Sequence, residues 1–180
     1  MPFGIYGEIM KKIALNGLLI SLALVLSFIE SLFPASLLIL IPGVRLGLAN
    51  IVTMFTLFYL GFMSAMTVSV LRCVLAALLF GGFSSMLFSL SGALLALMVM
   101  QALKFGYNRH FSILGISVAG AASHNTGQIL MASLMMRNTA VFAYLPVLLL
   151  AGIAMGFITA FATQNIFYLV DKTHVVKHLG

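Results

Sequence analysis

A single all-α integral membrane domain of six spanning helices is the architecture this sequence predicts. Three observations carry the prediction. Apolar residues make up 63% of the chain and charged residues 7%, against about 45–50% and about 25% in ordinary soluble domains. The apolar residues fall into six runs, and a helix crossing the hydrocarbon needs about 20 residues. Within the runs, apolar side chains lie all round and β-branched residues are scattered, without the period-two alternation of an outer-membrane barrel. Soluble enzyme, nucleic-acid module and disordered chain are poor readings. A chain of 180 residues cannot hide this much apolar surface with so few charges to solvate the rest.

The first run, 13–31, follows Lys11-Lys12 and stops near Pro34. No small-residue cleavage site follows it and it is long enough to span, so it reads as a retained helix rather than a signal peptide. The second, 46–60, follows a short apolar approach at 37–41 that ends at Pro42-Gly43. Gly61 alone separates it from the third, 62–80, which ends at Gly81-Gly82. The fourth covers 86–103 and the fifth 111–136. The sixth, 141–170, exceeds one span and is expected to tilt or protrude. No linker, low-complexity tract or long repeat divides the chain.

Basic residues set the expected orientation. With the N-terminus inside, the cytoplasmic side of the cell membrane receives Lys11, Lys12, Lys104, Arg109, Lys172 and Lys177, and the outer side receives Arg137 and Arg45. Both termini are then cytoplasmic. The net charge of +6 fits loop placement and phospholipid contact better than a nucleic-acid partner. Cys73 is the single cysteine, so no internal disulfide exists.

An ionisable side chain in the hydrocarbon costs several kcal/mol and is a functional hypothesis by default. Arg72 lies midway along the third run, too far from either end to snorkel easily. It either anchors a ligand or anion, or fixes helix packing through an ion pair or carbonyl contacts. The fifth run carries Ser123, His124, Asn125, Thr126, Gly127 and Gln128. His124 and Gln128 are one turn apart and share a face, as do Gly120, Ser123 and Gly127. A polar pocket wall and interhelical hydrogen bonding are both open for them. Arg45 and Asn50 flank the start of the second run, after a Pro-Gly segment that is tolerated at membrane depth only where protein or water covers it. An occluding loop over a pocket has this form, and so does an ordinary loop with an interfacial arginine. Glu30 can pair with Arg45 or Arg72. Gly152, Gly156 and Ala160, spaced by four, suggest internal packing of the sixth helix. Gly17 and Ser21 on the first helix suit either internal packing or a partner protein.

Several chemistries lack their residues. There is no phosphate-binding G-x-x-x-x-G-K-[ST] loop. One Asp cannot build the paired Asp-rich magnesium sites of diphosphate chemistry. No Ser-His-acid set can be built with the acids at the chain ends or outer interface. His124 has no carboxylate or thiolate near it in sequence that would complete a metal site, and His174 and His178 lie in a polar tail. No catalytic residue, metal or cofactor is expected. Six helices are also few for a self-sufficient secondary transporter with paired repeats. The balance favours a small binding or transport subunit that borrows its energy.

The stretch Pro42-Gly-Val-Arg-Leu-Gly-Leu-Ala-Asn-Ile-Val52, then Tyr59-Leu-Gly61, Leu71-Arg72, Leu78-Leu-Phe-Gly81 and Ser123-His-Asn-Thr-Gly-Gln128 resembles the Gx transporter family, also described as heptaprenyl diphosphate synthase component I. The resemblance runs over nearly the whole chain. The family is similar to the substrate-binding S components of energy-coupling factor (ECF) transporters. Against the riboflavin-type S components, Arg45 stands at the first basic position and Arg72 at the central basic one. Gly47 and Asn50 stand where that type carries acids, so the fold analogy carries over and the vitamin identity does not. The resemblance implies a six-helix bundle with an outward-opening pocket capped by the loop between the first two helices. It also implies a face on the first helix, here Gly17 and Ser21, that docks a membrane coupling subunit served by two cytoplasmic ATPases. The synthase description fits poorly with a chain that lacks carboxylates for magnesium.

The main reading is therefore a non-enzymatic substrate-capture subunit. Arg72 anchors an anionic, isoprenoid-related or quinone-related molecule, His124, Asn125 and Gln128 line the facing wall, Asn50 closes the pocket and Arg45 gates or steers. Two rivals remain. One is a quinone-interacting or anchoring component of a flavin-linked extracellular electron-transfer system, near which similar proteins are encoded. The other is a structural assembly subunit with Arg72 and Glu30 as a packing pair.

Overall fold

Leu60 and Gly61 are the whole connection between two helices, and Gly61 takes φ +87°. That conformation is open to glycine and costly for side-chain-bearing residues, so the second and third apolar runs fold into a hairpin at this one position. The computed structural model describes residues 2–32, 45 and 47–173. It contains α1 (Pro2–Leu32), α2 (Asn50–Tyr59), α3 (Phe62–Ala76), α4 (Gly82–Lys104), α5 (Ile113–Met136) and α6 (Leu145–Thr173). A π-helical turn, Ala77–Gly81, joins α3 to α4, and a 3-10 segment, Thr139–Tyr144, precedes α6. No strand occurs among the described residues. The 37–41 approach, Pro42-Gly43, Leu46, and His174, Lys177 and His178 lie outside the described residues.

Three stretches are long and apolar enough to cross a membrane: Ile9–Leu32, the 43-residue run Phe62–Lys104 and Thr139–Val170. The second is not one rod. At Gly82 the backbone turns to φ +73°, and Ala65 near the start of α3 shares a core with Leu97 and Met100 near the end of α4. The two helices therefore fold back on one another. The outer surface is apolar, with Leu78 78% and Phe161 71% exposed among many large hydrophobics. In water such a surface would drive aggregation; against lipid it costs nothing.

Helices α1 and α4 run past the apolar stretches that mark them, and α6 does so at its C-terminal end, because hydrogen bonding continues beyond the hydrocarbon. Thus α1 begins at Pro2, upstream of Lys11-Lys12. Helix α2 is much shorter than its stretch. Its ten residues span about 15 Å, half of the roughly 30 Å hydrocarbon, so the 46–60 run yields a half-length helix. The segment before it is spent on a turn, with Asn50 N–H donating to the Gly47 carbonyl at 2.9 Å and Ile51 N–H to Leu48 at 3.1 Å. The far end of α2 is held by Lys104, whose Nζ donates to the Leu57 carbonyl at 2.7 Å and lies 5.2 Å from the Phe58 ring centre. A cation there complements the negative end of the helix dipole.

The long polar-centred helix, α5, sits between α4 and α6, and glycines set the spacing. A Cβ on Gly127 would stand 2.9 Å from the Gly92 Cα, one on Gly120 2.8 Å from Met100, and one on Gly156 2.6 Å from the Val118 Cα. Gly152 faces Asn125 and Ala121, and Ala160 is buried. The sixth-helix stripe thus packs inward on α5, where small residues let backbones approach closely. Helix α1 packs on α2 and α3, and α2 also touches α6, closing the bundle. Three apolar clusters hold it. Phe88, Ile129 and Leu148 form one, Met54, Leu57, Leu97 and Ile116 another, and Leu19, Ala23, Val52 and Val68 the third.

Candidate functional site

Arg72 is 2% exposed, and it is one of a group of buried polar residues that gather inside the bundle. The group comprises Ser27 and Glu30 on α1, Arg45 and Asn50 at the entry to α2, Arg72 on α3, and His124 and Gln128 on α5, all buried. Each reaches the interior for a local reason. On α1, Leu19, Ala23, Ser27 and Glu30 fall on one buried stripe at helical spacing. On α3, Val68, Ser69, Arg72 and Ala76 do the same. On α5, His124 and Gln128 are one turn apart and look toward Gly92 and the entry segment of α2.

The closest-fitted part is the entry segment. The Gln128 side chain pairs with the Arg45 backbone as a neighbouring strand would. Its Oε1 accepts from the Arg45 N–H at 2.8 Å and its Nε2 donates to the Arg45 carbonyl at 2.7 Å. Both backbone groups of a non-helical residue are thereby satisfied where water is scarce. Two residues on, the Gly47 N–H donates to Glu30 Oε1. Gly47 takes φ +94°, and a Cβ there would sit 2.9 Å from Asn50 Nδ2 and 3.3 Å from His124 Cδ2. Only glycine leaves room for Asn50 and His124 to approach this backbone.

The π-turn between α3 and α4 meets the same segment. Its Phe80 ring lies 5.4 Å from the Arg45 guanidinium carbon and makes an edge contact with Phe28 at 5.5 Å. A Cβ on Gly81 would come within 2.8 Å of Arg45 Nη2. The wider turn thus presents an aromatic face and a bare backbone to one guanidinium, a favourable cation–π arrangement in a site cut off from water.

Arg72 donates through Nη1 to Ser27 Oγ at 3.4 Å, a long bond. Its Nε and Nη2 have no hydrogen-bond partner among the described residues, nor do Arg45 Nη1, His124 Nε2 and both polar atoms of the Asn50 side chain. Arg45 lies within electrostatic range of Glu30 and Arg72, and His124 within range of both arginines. A buried polar atom without a partner costs about 1–3 kcal/mol, so a group of them at one place calls for a bound polar species. Two hollows on the bundle do not meet this need. One of about 520 Å³ lies between α1, α2 and α6 and is lined by Leu15, Leu22, Ile51 and Phe55 among others; one of about 330 Å³ lies between α4 and α5. Both walls are almost wholly apolar, as suits acyl chains.

The residues singled out from the sequence divide here. Arg45, Asn50, Arg72, His124 and Gln128 come to one place. Asn125 does not face it: its Nδ2 donates to the Leu148 carbonyl on α6 at 2.5 Å and borders Gly152. Adjacent residues on a helix point about 100° apart, so His124 and Asn125 serve different neighbours. Gly17 and Ser21 lie on the exposed face of α1. No atom lies within 4 Å of a Cβ at Gly17, and Ser21 Oγ donates back to the Gly17 carbonyl at 3.0 Å. Among the described residues no three His, Cys, Asp or Glu side chains assemble into a metal site.

Residues beyond that set also matter. Ser27 is part of the α1 stripe, which its helical spacing made readable. Gly92 belongs to the small series Ser85, Ser89, Gly92 and Ala96, all buried on α4. Phe80 lies in the Leu78–Gly81 block that carries the resemblance, but one phenylalanine among fifteen gives no sign by its type that it stacks on a guanidinium.

A family model described as heptaprenyl diphosphate synthase component I matches residues 19–166, which includes every member of this polar group. The chain belongs to the heptaprenyl diphosphate synthase component I family. No curated protein and no solved structure matches it. With its family and its three long apolar stretches it is a membrane protein. The apolar exterior and the long apolar helices agree with that placement. Of the sequence blocks that carry the resemblance, those around Arg45, Gly81 and His124 meet in space.

Proposed function

We propose that this component I protein is the substrate-binding membrane subunit of an ECF-type importer, with six membrane-embedded helices, of which α2 is the half-length one, and both termini on the cytoplasmic side. The observation that carries the reading is the buried Arg72, with two nitrogens unpartnered among the described residues, with Arg45 and His124 in electrostatic range of it and with Asn50 set beside His124 at Gly47. A structural arginine at this depth would be expected to exhaust its donors on neighbours. In this reading Arg72, Arg45, Asn50 and His124 contact the substrate. Gln128 positions Arg45 through its backbone, and Asn125 fixes α5 against α6.

The importer reading supplies what the chain lacks. With no nucleotide-binding loop of its own, it takes energy from two cytoplasmic ATPases through a membrane coupling subunit. Gly17 and Ser21 suit docking of that subunit, because their face of α1 is exposed and Ser21 has no need of an outside acceptor. Short α2 also fits a capture subunit, since a half-length helix brings non-helical backbone to the ligand at membrane depth.

Co-purification in mild detergent with the host's ECF coupling subunit and ATPases, read by native mass spectrometry, tests the proposal. A stoichiometric complex is the expected result. Failure to form one, while other S components of the same host are captured under identical conditions, overturns it.

A further inference from the structure

The unpartnered atoms of Arg72 are a particular pair. Nη1 faces Ser27. Nε and Nη2 are the atoms of one guanidinium edge, the edge whose two parallel N–H groups match the two oxygens of a carboxylate. That edge is buried, and among the described residues nothing accepts from it. The charge inventory is equally specific. Arg45, Arg72 and Glu30 are the charged side chains of the group, and they leave one net positive charge away from water. Glu30 is already engaged by the Gly47 N–H, so it serves the backbone turn as well as any cation.

We infer that the site takes a ligand through a single carboxylate, held two-pronged on the Nε–Nη2 edge of Arg72. This deepens the importer reading and rests on it for the premise that the polar group binds a ligand. A monoanion brings the buried charge to zero. A phosphate monoester or diphosphate carries more charge than the site can neutralise and would leave an excess buried anion, which the low-dielectric surroundings penalise heavily. A neutral amide can use one donor of the edge but leaves the positive charge uncompensated. Asn50 and His124 then supply hydrogen bonds to the body of the ligand, Nδ2 as donor and Oδ1 as acceptor on the asparagine. Arg45, stacked on Phe80, contributes a second positive charge beside the carboxylate.

The full chain in phosphatidylcholine nanodiscs provides the test. Cys73 is the sole thiol and is buried, so its rate of maleimide labelling reports opening of the fold, and a bound ligand slows it. Acetate, acetamide, inorganic phosphate and pyrophosphate serve as probes at matched ionic strength. Acetate is expected to slow labelling about tenfold near ten times its dissociation constant. Its half-effect concentration should lie at least about tenfold below those of acetamide and the phosphates, and Arg72→Lys should raise it about tenfold, because an ammonium cannot make the paired contact. Should Arg72→Lys fail to fold, the wild-type ranking of the four probes decides alone. Equal action of acetamide, tighter action of phosphate or pyrophosphate, or no effect of acetate overturns the inference. Complex formation with the coupling module separates the two proposals. A complex without acetate protection removes the carboxylate assignment and leaves the importer; acetate protection without a complex does the reverse.

Discussion

Replacing Gln128 by leucine should loosen the whole polar group, because it removes both partners of the Arg45 backbone at once. Leucine has nearly the same volume, so the α4–α5 contact around Gly92 is kept. What is lost is the pair of hydrogen bonds at 2.8 and 2.7 Å. A stranded buried N–H or carbonyl costs about 1–3 kcal/mol. Two of them sum to several kcal/mol, and the entry segment can recover part of that by moving toward water, which leaves about 2–4 kcal/mol. Each 1.4 kcal/mol is a factor of ten, so the lower end corresponds to roughly 30-fold more of the open form. Maleimide labelling of Cys73 reads that population directly when opening and closing are fast relative to labelling. A second readout is tryptic cleavage after Arg45, which the pairing should suppress in the wild type and release in the variant. Labelling within threefold of wild type, together with continued resistance at Arg45, would refute the assignment of Gln128 as the clamp on this segment.

Four further substitutions probe separate parts. Gly156→Ala places a methyl 2.6 Å from the Val118 backbone and should cost about 1–3 kcal/mol by forcing α5 and α6 apart. Gly17→Leu meets open space, so it should leave Cys73 labelling unchanged while abolishing capture of the coupling subunit; a stable complex with this variant would remove that face as the docking surface. Gly47→Ala combines a strained φ of +94° with a contact 2.9 Å from Asn50, and a loss of about 1–3 kcal/mol is expected in denaturation monitored by circular dichroism. Lys104→Met removes the Leu57 carbonyl bond and the charge over Phe58. It should destabilise the end of α2 by about 1 kcal/mol, visible as faster amide hydrogen exchange confined to that end.

The membrane class of the chain was readable because it is a bulk property: too little charge for water, and apolar runs long enough for lipid. The presence of Arg72, His124 and Gln128 in such runs was readable for the same reason, since a polar group in hydrocarbon is conspicuous by its cost. The sixth-helix stripe was readable because glycine at spacing four has few uses besides close packing. Length alone misled at α2. Apolar residues at 46–60 fill a span by count, but the chain turns through Gly47–Ala49 before the helix begins, and hydropathy does not distinguish a helix from a buried turn.

By itself, then, the sequence determined the solvent, the helical class and which side chains could not face lipid. Only the tertiary structure decided where those side chains went. Gln128 meets Arg45 across 83 residues of chain, His124 and Asn125 part toward α4 and α6, and the π-turn sets Phe80 under a guanidinium. These outcomes depend on helix rotation and on the path of one short non-helical segment. Both are fixed by the requirement that every backbone group at membrane depth find a partner, a condition on the whole bundle that no local stretch of residues can express.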